Sequence, residues 1–182
     1  ADLRTVRDAL VGLLRDVDRV LVDITGLALG ATSALRVFPE ALDRAGGWPA
    51  VRLGVIYAGR VMRQALRASR VARRIAVSDE TTLALLRCAE QPAEVRARWR
   101  LPASATTPAR CRSAAGLRLA SWSLPDKFVD RALVVVNELV TNAVVHAGTA
   151  VQVGLVLDED ALGVRVHDYG GDAPPDRLAG GL

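Results

Sequence analysis

In the stretch NELVTNAVVHAG, residues 137–148, a carboxylate and a carboxamide stand four positions apart, at Glu138 and Asn142. On a helix that spacing puts both on one face, one turn above each other. Such a pair suits a magnesium site: the amide oxygen ligates the ion, and the carboxylate orients or deprotonates a water or hydroxyl beside it. Taken alone, the same pair is more simply a solvated helix face. A second carboxylate, Asp168, shares strand parity with Leu162, Val164 and Val166, so it ends an otherwise apolar face. A charge placed there requires a partner, because burying it unpaired is costly. Gly170 and Gly171 follow at once and let a backbone approach a ligand closely. An adenine amino group is one partner for Asp168, and capping of its own turn is the simpler alternative.

These residues need elements to position them. A helix is expected from Asp126, as its cap, to about Ala147, with Gly148 ending it and Leu133, Val136, Leu139, Val140, Ala143, Val144 and Ala147 as the buried stripe. Strict alternation over Val151–Leu157, a turn at Asp158-Glu159-Asp160 and a return over Leu162–Asp168 predict a hairpin. Upstream, Trp99–Leu101 starts a short strand, and Ser104–Ser123 has helical spacing in spite of Pro108 and Gly116. The chain before Pro92 reads α-β-α-β-α-β-α, with strands at Val20–Ile24, Val51–Ala58 and Ile75–Val77. Its helices run over Leu3–Val17, from a cap at Thr32 or Ser33 to Ala45, then to Val71, and from a cap at Ser78 to Glu90. That order favours parallel strands with crossover helices. A change of pattern after Glu90 divides the chain into residues 1–92 and 93–182. The fold class expected is α/β.

Composition bounds the function. Of 182 residues, 51% are hydrophobic, which argues for a buried core rather than disorder. Every basic residue except Lys127 is an arginine, a bias typical of a GC-rich bacterial genome. The net charge of +4 permits an acidic partner. No helix-turn-helix, zinc spacing or aromatic-basic platform accompanies it, so direct nucleic-acid binding is not expected. Cys88 and Cys111 lack metal spacing and read as free thiols in a reducing compartment. With no signal peptide and no apolar run approaching ~20 residues, a cytoplasmic location without membrane contact is expected.

Taken together, a helix with E-x-x-x-N, a hairpin and D-x-G-G follow the N-box and G1-box order of the GHKL ATPases. Residues 96–148 specifically resemble the bacterial anti-sigma factor serine kinases, with Trp99, Leu101-Pro102, Trp122, Asp126, Glu138, Asn142 and His146 in register. The resemblance implies an α/β sandwich holding Mg²⁺ and ATP between a sheet and two helices. Asn142 would ligate Mg²⁺, Glu138 would act as general base toward a hydroxyl acceptor, and Asp168 would bind adenine with Gly170 and Gly171 beside it. His146 would face the phosphates or make a structural hydrogen bond near the helix end. Relatives often continue D-x-G-x-G, whereas this chain has Asp168-Tyr169-Gly170-Gly171-Asp172. Gly180-Gly181-Leu182 resembles the opening of a G2 box, so the module is expected to be truncated at its end.

The first half resembles a STAS domain, the fold of anti-sigma factor antagonists. Asp23, Thr25, Gly26, Leu27, Leu29, Ser33 and Leu35 match that family's pattern, while Ala31 and Ala34 replace its Asp and Gly. Thr32 and Ser33 take the place of its phosphorylatable serine, either as phosphoacceptors or as helix caps in a degenerate domain. Arg60, Arg63, Arg67, Arg70 and Arg74 form a basic stripe if their helix persists, either solvated or facing an acidic partner. The combined reading is an ATP-binding switch protein that phosphorylates Ser or Thr of a STAS-domain antagonist in cis or in trans. A sigma factor is the other implied partner, and a homodimer is admitted because relatives of the kinase module dimerise. The alternative is a non-catalytic, nucleotide-dependent interaction module regulating a sigma-factor or signalling partner.

Overall fold

The structure is a computed structural model that describes residues 2–159 and 161–169. The chain divides into two compact units, one made of residues up to Ala97 with Val156–Leu162, the other of Arg98–Leu155 and the chain from Gly163. In the first unit, amphipathic and branched segments alternate as α1 (Leu3–Asp16), β1 (Arg19–Asp23), a 3₁₀ turn (Thr32–Arg36), α2 (Val37–Arg44), β2 (Arg52–Ile56), α3 (Arg60–Ala68), a second 3₁₀ turn (Val71–Arg73), β3 (Ala76–Ser78) and α4 (Thr81–Ala89). The strands form a sheet ordered β1-β2-β3, parallel throughout, as crossover helices require.

One face of this sheet carries the main core. Val20 and Val22 of β1, Leu53 and Val55 of β2 and Val77 of β3 pack with Leu10 and Leu14 of α1, Phe38 and Leu42 of α2, and Met62 and Leu66 of α3. The other face is covered by α4, which packs on β2 and β3. There Leu21, Gly54 and Ala76 stand in register across the three strands. A Cβ at Gly54 would lie 2.4 Å from Leu21 Cδ2 and 2.8 Å from Cys88 Sγ, so glycine is what allows α4 to approach the sheet.

The helix ends differ from expectation in instructive ways. Thr32 and Ser33 do not cap a helix. They open the 3₁₀ turn behind Ala31, and α2 follows only from Val37. Gly46 and Gly47 do end α2, with Gly47 N–H donating to Leu42 O (2.9 Å) and Gly46 N–H to Asp43 O (3.3 Å), the paired bonds of a Schellman motif. Ser78 is the last residue of β3. Its hydroxyl accepts the Glu80 N–H at 3.1 Å, while Glu80 itself holds the cap position of α4.

The helix expected to run to Val71 stops at Ala68, and Arg70 adopts a left-handed conformation (φ 59°). The basic stripe is broken there. Arg74 turns inward to pair with Asp43 and, at 3.3 Å, with Glu94, these last two side chains being 11% and 9% exposed respectively for Arg74 and Glu94. Arg63 pairs with Asp79 at 2.7 Å. The five-residue row is therefore not continuous: Arg60, Arg63 and Arg67 share α3, whereas Arg70 and Arg74 lie beyond its end.

The remaining elements are β4 (Glu94–Leu101), α5 (Thr107–Ser121), α6 (Asp126–Ala147), β5 (Val151–Asp158) and β6 (Ala161–Asp168), with the second sheet ordered β4-β5-β6. Strand β4 begins five residues earlier than the segment Trp99–Leu101 suggests. Pro108 falls in the first turn of α5, where a missing N–H costs nothing. Just ahead of it, the fully buried Thr107 donates its hydroxyl to Pro102 O at 2.6 Å. Helices α5 and α6 pack on each other. Val151, Val153, Leu155 and Leu157 of β5 are buried as the alternation predicts. No helix among the described residues is long and apolar enough to cross a membrane.

The Gly54 constraint is testable. Gly54→Ala should lower the unfolding free energy by about 1–3 kcal/mol through overpacking. Combined with Cys88→Ala, the loss should be smaller than the sum of the two single effects, since the sites share one space. Denaturant titration of the four proteins measures both.

Candidate functional site

Helix α6 supplies the framework of the candidate site. Its first turn carries Asp126, an acid at the positive end of the helix dipole. Asp126 is not the cap, however: Pro125 occupies that position and makes no side-chain bond. Gly148 ends the helix in a left-handed conformation (φ 61°), its N–H donating to Val144 O at 3.2 Å. Between these ends the buried stripe is Ala132, Val136, Val140 and Ala143, with spacings of four, four and three. Leu139, expected in that stripe, is 40% exposed.

On the side away from the stripe, Glu138, Asn142 and His146 follow at intervals of four, and all three are exposed. Val134, Val135 and Val145 flank them, also exposed, Val145 at 69%. The face therefore offers a carboxylate, a carboxamide and an imidazole in a row, bordered by apolar side chains. A solvent-open row of this kind admits a ligand that needs polar anchors and an apolar border.

Asp168 arrives at the same end of α6 from the hairpin. It is the last residue of β6 and is exposed, rather than sunk at the end of an apolar face; Leu162, Val164 and Val166 behind it are half-buried. The next residue, Tyr169, donates its N–H to Thr149 Oγ1 at 3.1 Å, and Thr149 lies one residue beyond Gly148. That bond ties the end of β6 to the end of α6 and brings Asp168 to the end of the helix that bears His146 and Asn142. Gly170 and Gly171 lie outside the described residues, as does the Gly180-Gly181-Leu182 segment.

Among the described residues no three His, Cys, Asp or Glu side chains converge to hold a metal ion. The donor set fits Mg²⁺ nonetheless. Mg²⁺ keeps several waters and is commonly held by one or two protein oxygens together with substrate phosphates, a part the exposed Asn142 amide oxygen can fill.

The first unit places its candidates separately. Thr32 and Ser33 are exposed at the opening of their 3₁₀ turn. Nearby, Asp23 accepts the Thr25 N–H at 2.8 Å, and the Thr25 hydroxyl and N–H hold its carboxyl below the usual carboxylate range. A cavity of about 370 Å³ in this unit is lined by Tyr57, Arg63, Arg67, Arg87 and Glu90 among others; Arg63 and Arg67 belong to the expected basic stripe, and neither Thr32 nor Ser33 lines it. Two of its arginines are already engaged, Arg63 with Asp79 and Arg87 with Val77 O at 2.9 Å.

The sequence reading missed the residues that fasten the end of β6. Thr149, Gln152, Arg100 and Tyr169 carry no motif of their own.

Residues 101–181 match the family described as a histidine kinase-like ATPase domain. The match takes in α5, α6, β5, β6 and every candidate residue of the second half, and covers less than half of the chain. It supports a GHKL-like ATPase module in this segment. No curated protein and no solved structure matches the chain.

The division of α6 predicts two classes of variant. Alanine at Glu138, Asn142 or His146 should change the unfolding free energy by less than about 0.5 kcal/mol, as for exposed positions outside a packed contact. Val136→Ala or Val140→Ala, each 0% exposed, should cost about 2 kcal/mol from lost burial plus a residual cavity. Thermal and denaturant unfolding separate the two.

Proposed function

We propose that this chain is an ATP-binding regulatory switch protein of the anti-sigma factor type. In this reading the α6–β6 face takes Mg-ATP, and the γ-phosphoryl group passes to a Ser or Thr hydroxyl of a STAS-domain antagonist. The observation that carries it is the exposed row Glu138, Asn142 and His146 on α6, with Asp168 tied to the same helix end through Tyr169 and Thr149. The family match to a histidine kinase-like ATPase domain supports nucleotide binding in the same segment.

Each side chain has a defined part in this reading. Asn142 offers its amide oxygen to Mg²⁺, which when bound neutralises charge on the phosphates. His146, one turn further along, faces the phosphate chain. Asp168 accepts a hydrogen bond from the adenine amino group. Glu138, one turn before Asn142, takes the proton from the acceptor hydroxyl as the hydroxyl oxygen bonds to phosphorus and the bond to the ADP oxygen breaks. Gly170 and Gly171, outside the described residues, belong to the reading as base-binding residues on the sequence pattern alone.

The first half, read as a degenerate STAS domain, supplies exposed hydroxyls at Thr32 and Ser33. They are the candidates for transfer in cis, and a separate antagonist is the substrate in trans. A sigma factor is the proposed output partner, and a homodimer of the ATPase module is part of the same reading.

The test incubates the full chain with labelled ATP, alone and with candidate STAS proteins, beside calorimetric titration with Mg-ADP. Glu138→Gln should keep nucleotide affinity while phosphotransfer falls about 10²–10⁴-fold, the usual weight of a general base. Asn142→Ala should lose the magnesium-dependent part of binding. Affinity without turnover would reassign the chain to a non-catalytic, nucleotide-dependent interaction module. Absence of both would remove the ATP reading altogether.

A further inference from the structure

Tyr169 is held from several sides within the second unit. Its N–H donates to Thr149 Oγ1 at 3.1 Å, and its hydroxyl donates to Gln152 Oε1 at 3.0 Å. The Arg100 guanidinium carbon stands 4.3 Å from the ring centroid. The His167 ring meets it edge-on, with centroids 4.8 Å apart and planes at 82°. Arg100 Nε is shielded from solvent and has no hydrogen-bond partner among the described residues. The cation–π contact is therefore made by a partly desolvated guanidinium, the condition under which it is strongest.

The side-chain contacts come from β4, from β5 and from β6 itself, so one side chain fastens all three strands, and the backbone bond to Thr149 adds the α6–β5 connection. Side chains alternate along a strand, which places His167 and Tyr169 on one face of β6 and Asp168 on the other. Fastening the first face fixes the backbone at the residue whose carboxylate projects from the second. An unfastened strand end would let the backbone that carries Asp168 sample several angles, and recognition by a single hydrogen bond depends on direction.

We propose that Tyr169 is a positioning residue for base recognition: by locking the end of β6 through side-chain contacts with Arg100, Gln152 and His167, it aims the Asp168 carboxylate at the amino group of a purine. The inference rests on the reading of Asp168 as the adenine contact. It gives a role to the tyrosine inside the Asp-x-Gly pattern, and it predicts an effect on base selectivity rather than on phosphate binding.

Titration of the full chain with Mg-ADP and with Mg-inosine diphosphate tests it, since inosine carries a carbonyl oxygen where adenine carries the amino group. The wild-type chain should prefer the adenine nucleotide by about ten-fold or more, as a charge-assisted hydrogen bond predicts. Tyr169→Ala should shrink that preference to within about three-fold by weakening ADP alone, leaving the inosine nucleotide unchanged. Tyr169→Phe, which keeps the ring between Arg100 and His167, should retain most of it. The double variant Arg100→Met/Gln152→Ala leaves Tyr169 in place but loosens it, and should fall between; it also serves if Tyr169→Ala does not fold. An unchanged preference in folded Tyr169→Ala, or in the double variant, overturns the positioning role. A wild-type chain that binds both nucleotides equally removes Asp168 from base recognition and this inference with it. Binding of neither nucleotide sinks the ATP reading first.

Discussion

The second half of the protein depends on how α6 divides its circumference. One line of small and branched side chains, Ala132, Val136, Val140 and Ala143, is withdrawn from water and holds the helix in place. The opposite line, Glu138, Asn142 and His146, is left in solvent and takes no part in that packing. Because the two lines lie on one rigid cylinder, burial of the first fixes the direction of the second. A site built on a helix face gains this precision without further contacts, whereas the hairpin end must be fastened separately. The Tyr169–Thr149 bond does so, and joins the strand that bears Asp168 to the helix that bears the other polar groups.

In the first unit the comparable constraint is a close approach. The row Leu21, Gly54 and Ala76 leaves a shallow face, and α4 settles on it with Cys88 toward the missing side chain of Gly54. The other face takes three helices and most of the core. Three helices on one side and α4 on the other, seated where Gly54 lacks a side chain, thus cover a short three-stranded parallel sheet on both faces, as parallel strands need.

Much of this order was legible in the sequence because it rests on periodicity. The alternation of Val151, Val153, Leu155 and Leu157, the three strands of the first half and the span of α6 all follow from which residues must avoid water. What escaped was governed by other terms. Helix caps at Thr32, Ser33 and Asp126 were assigned by residue type, yet backbone geometry at Ala31 and Pro125 decided the starts. The arginine spacing implies a helix longer than the one that ends at Ala68, and long-range pairing of Arg74 with Asp43 and Glu94 has no local signature. At the candidate site, residue type and spacing single out Glu138, Asn142 and Asp168. The contacts of Tyr169 with Thr149, Gln152 and Arg100 at the end of β6 have no such local signal, since they join residues up to 69 positions apart, from Arg100 to Tyr169.

Both cysteines are buried, and burial pushes each thiol above its ordinary range, only partly offset by Arg19 and Arg52 near Cys88 and by Trp99 and Arg110 near Cys111. Thiolate is the reactive form, so both sulfurs are chemically quiet in the folded protein. A single cysteine introduced on the open side of α6, at Val145 for instance, would then be the one group that a maleimide dye or spin label attacks. The natural sequence is in this sense already a blank background for spectroscopy, and local changes at the helix face can be followed without first stripping out its own sulfur.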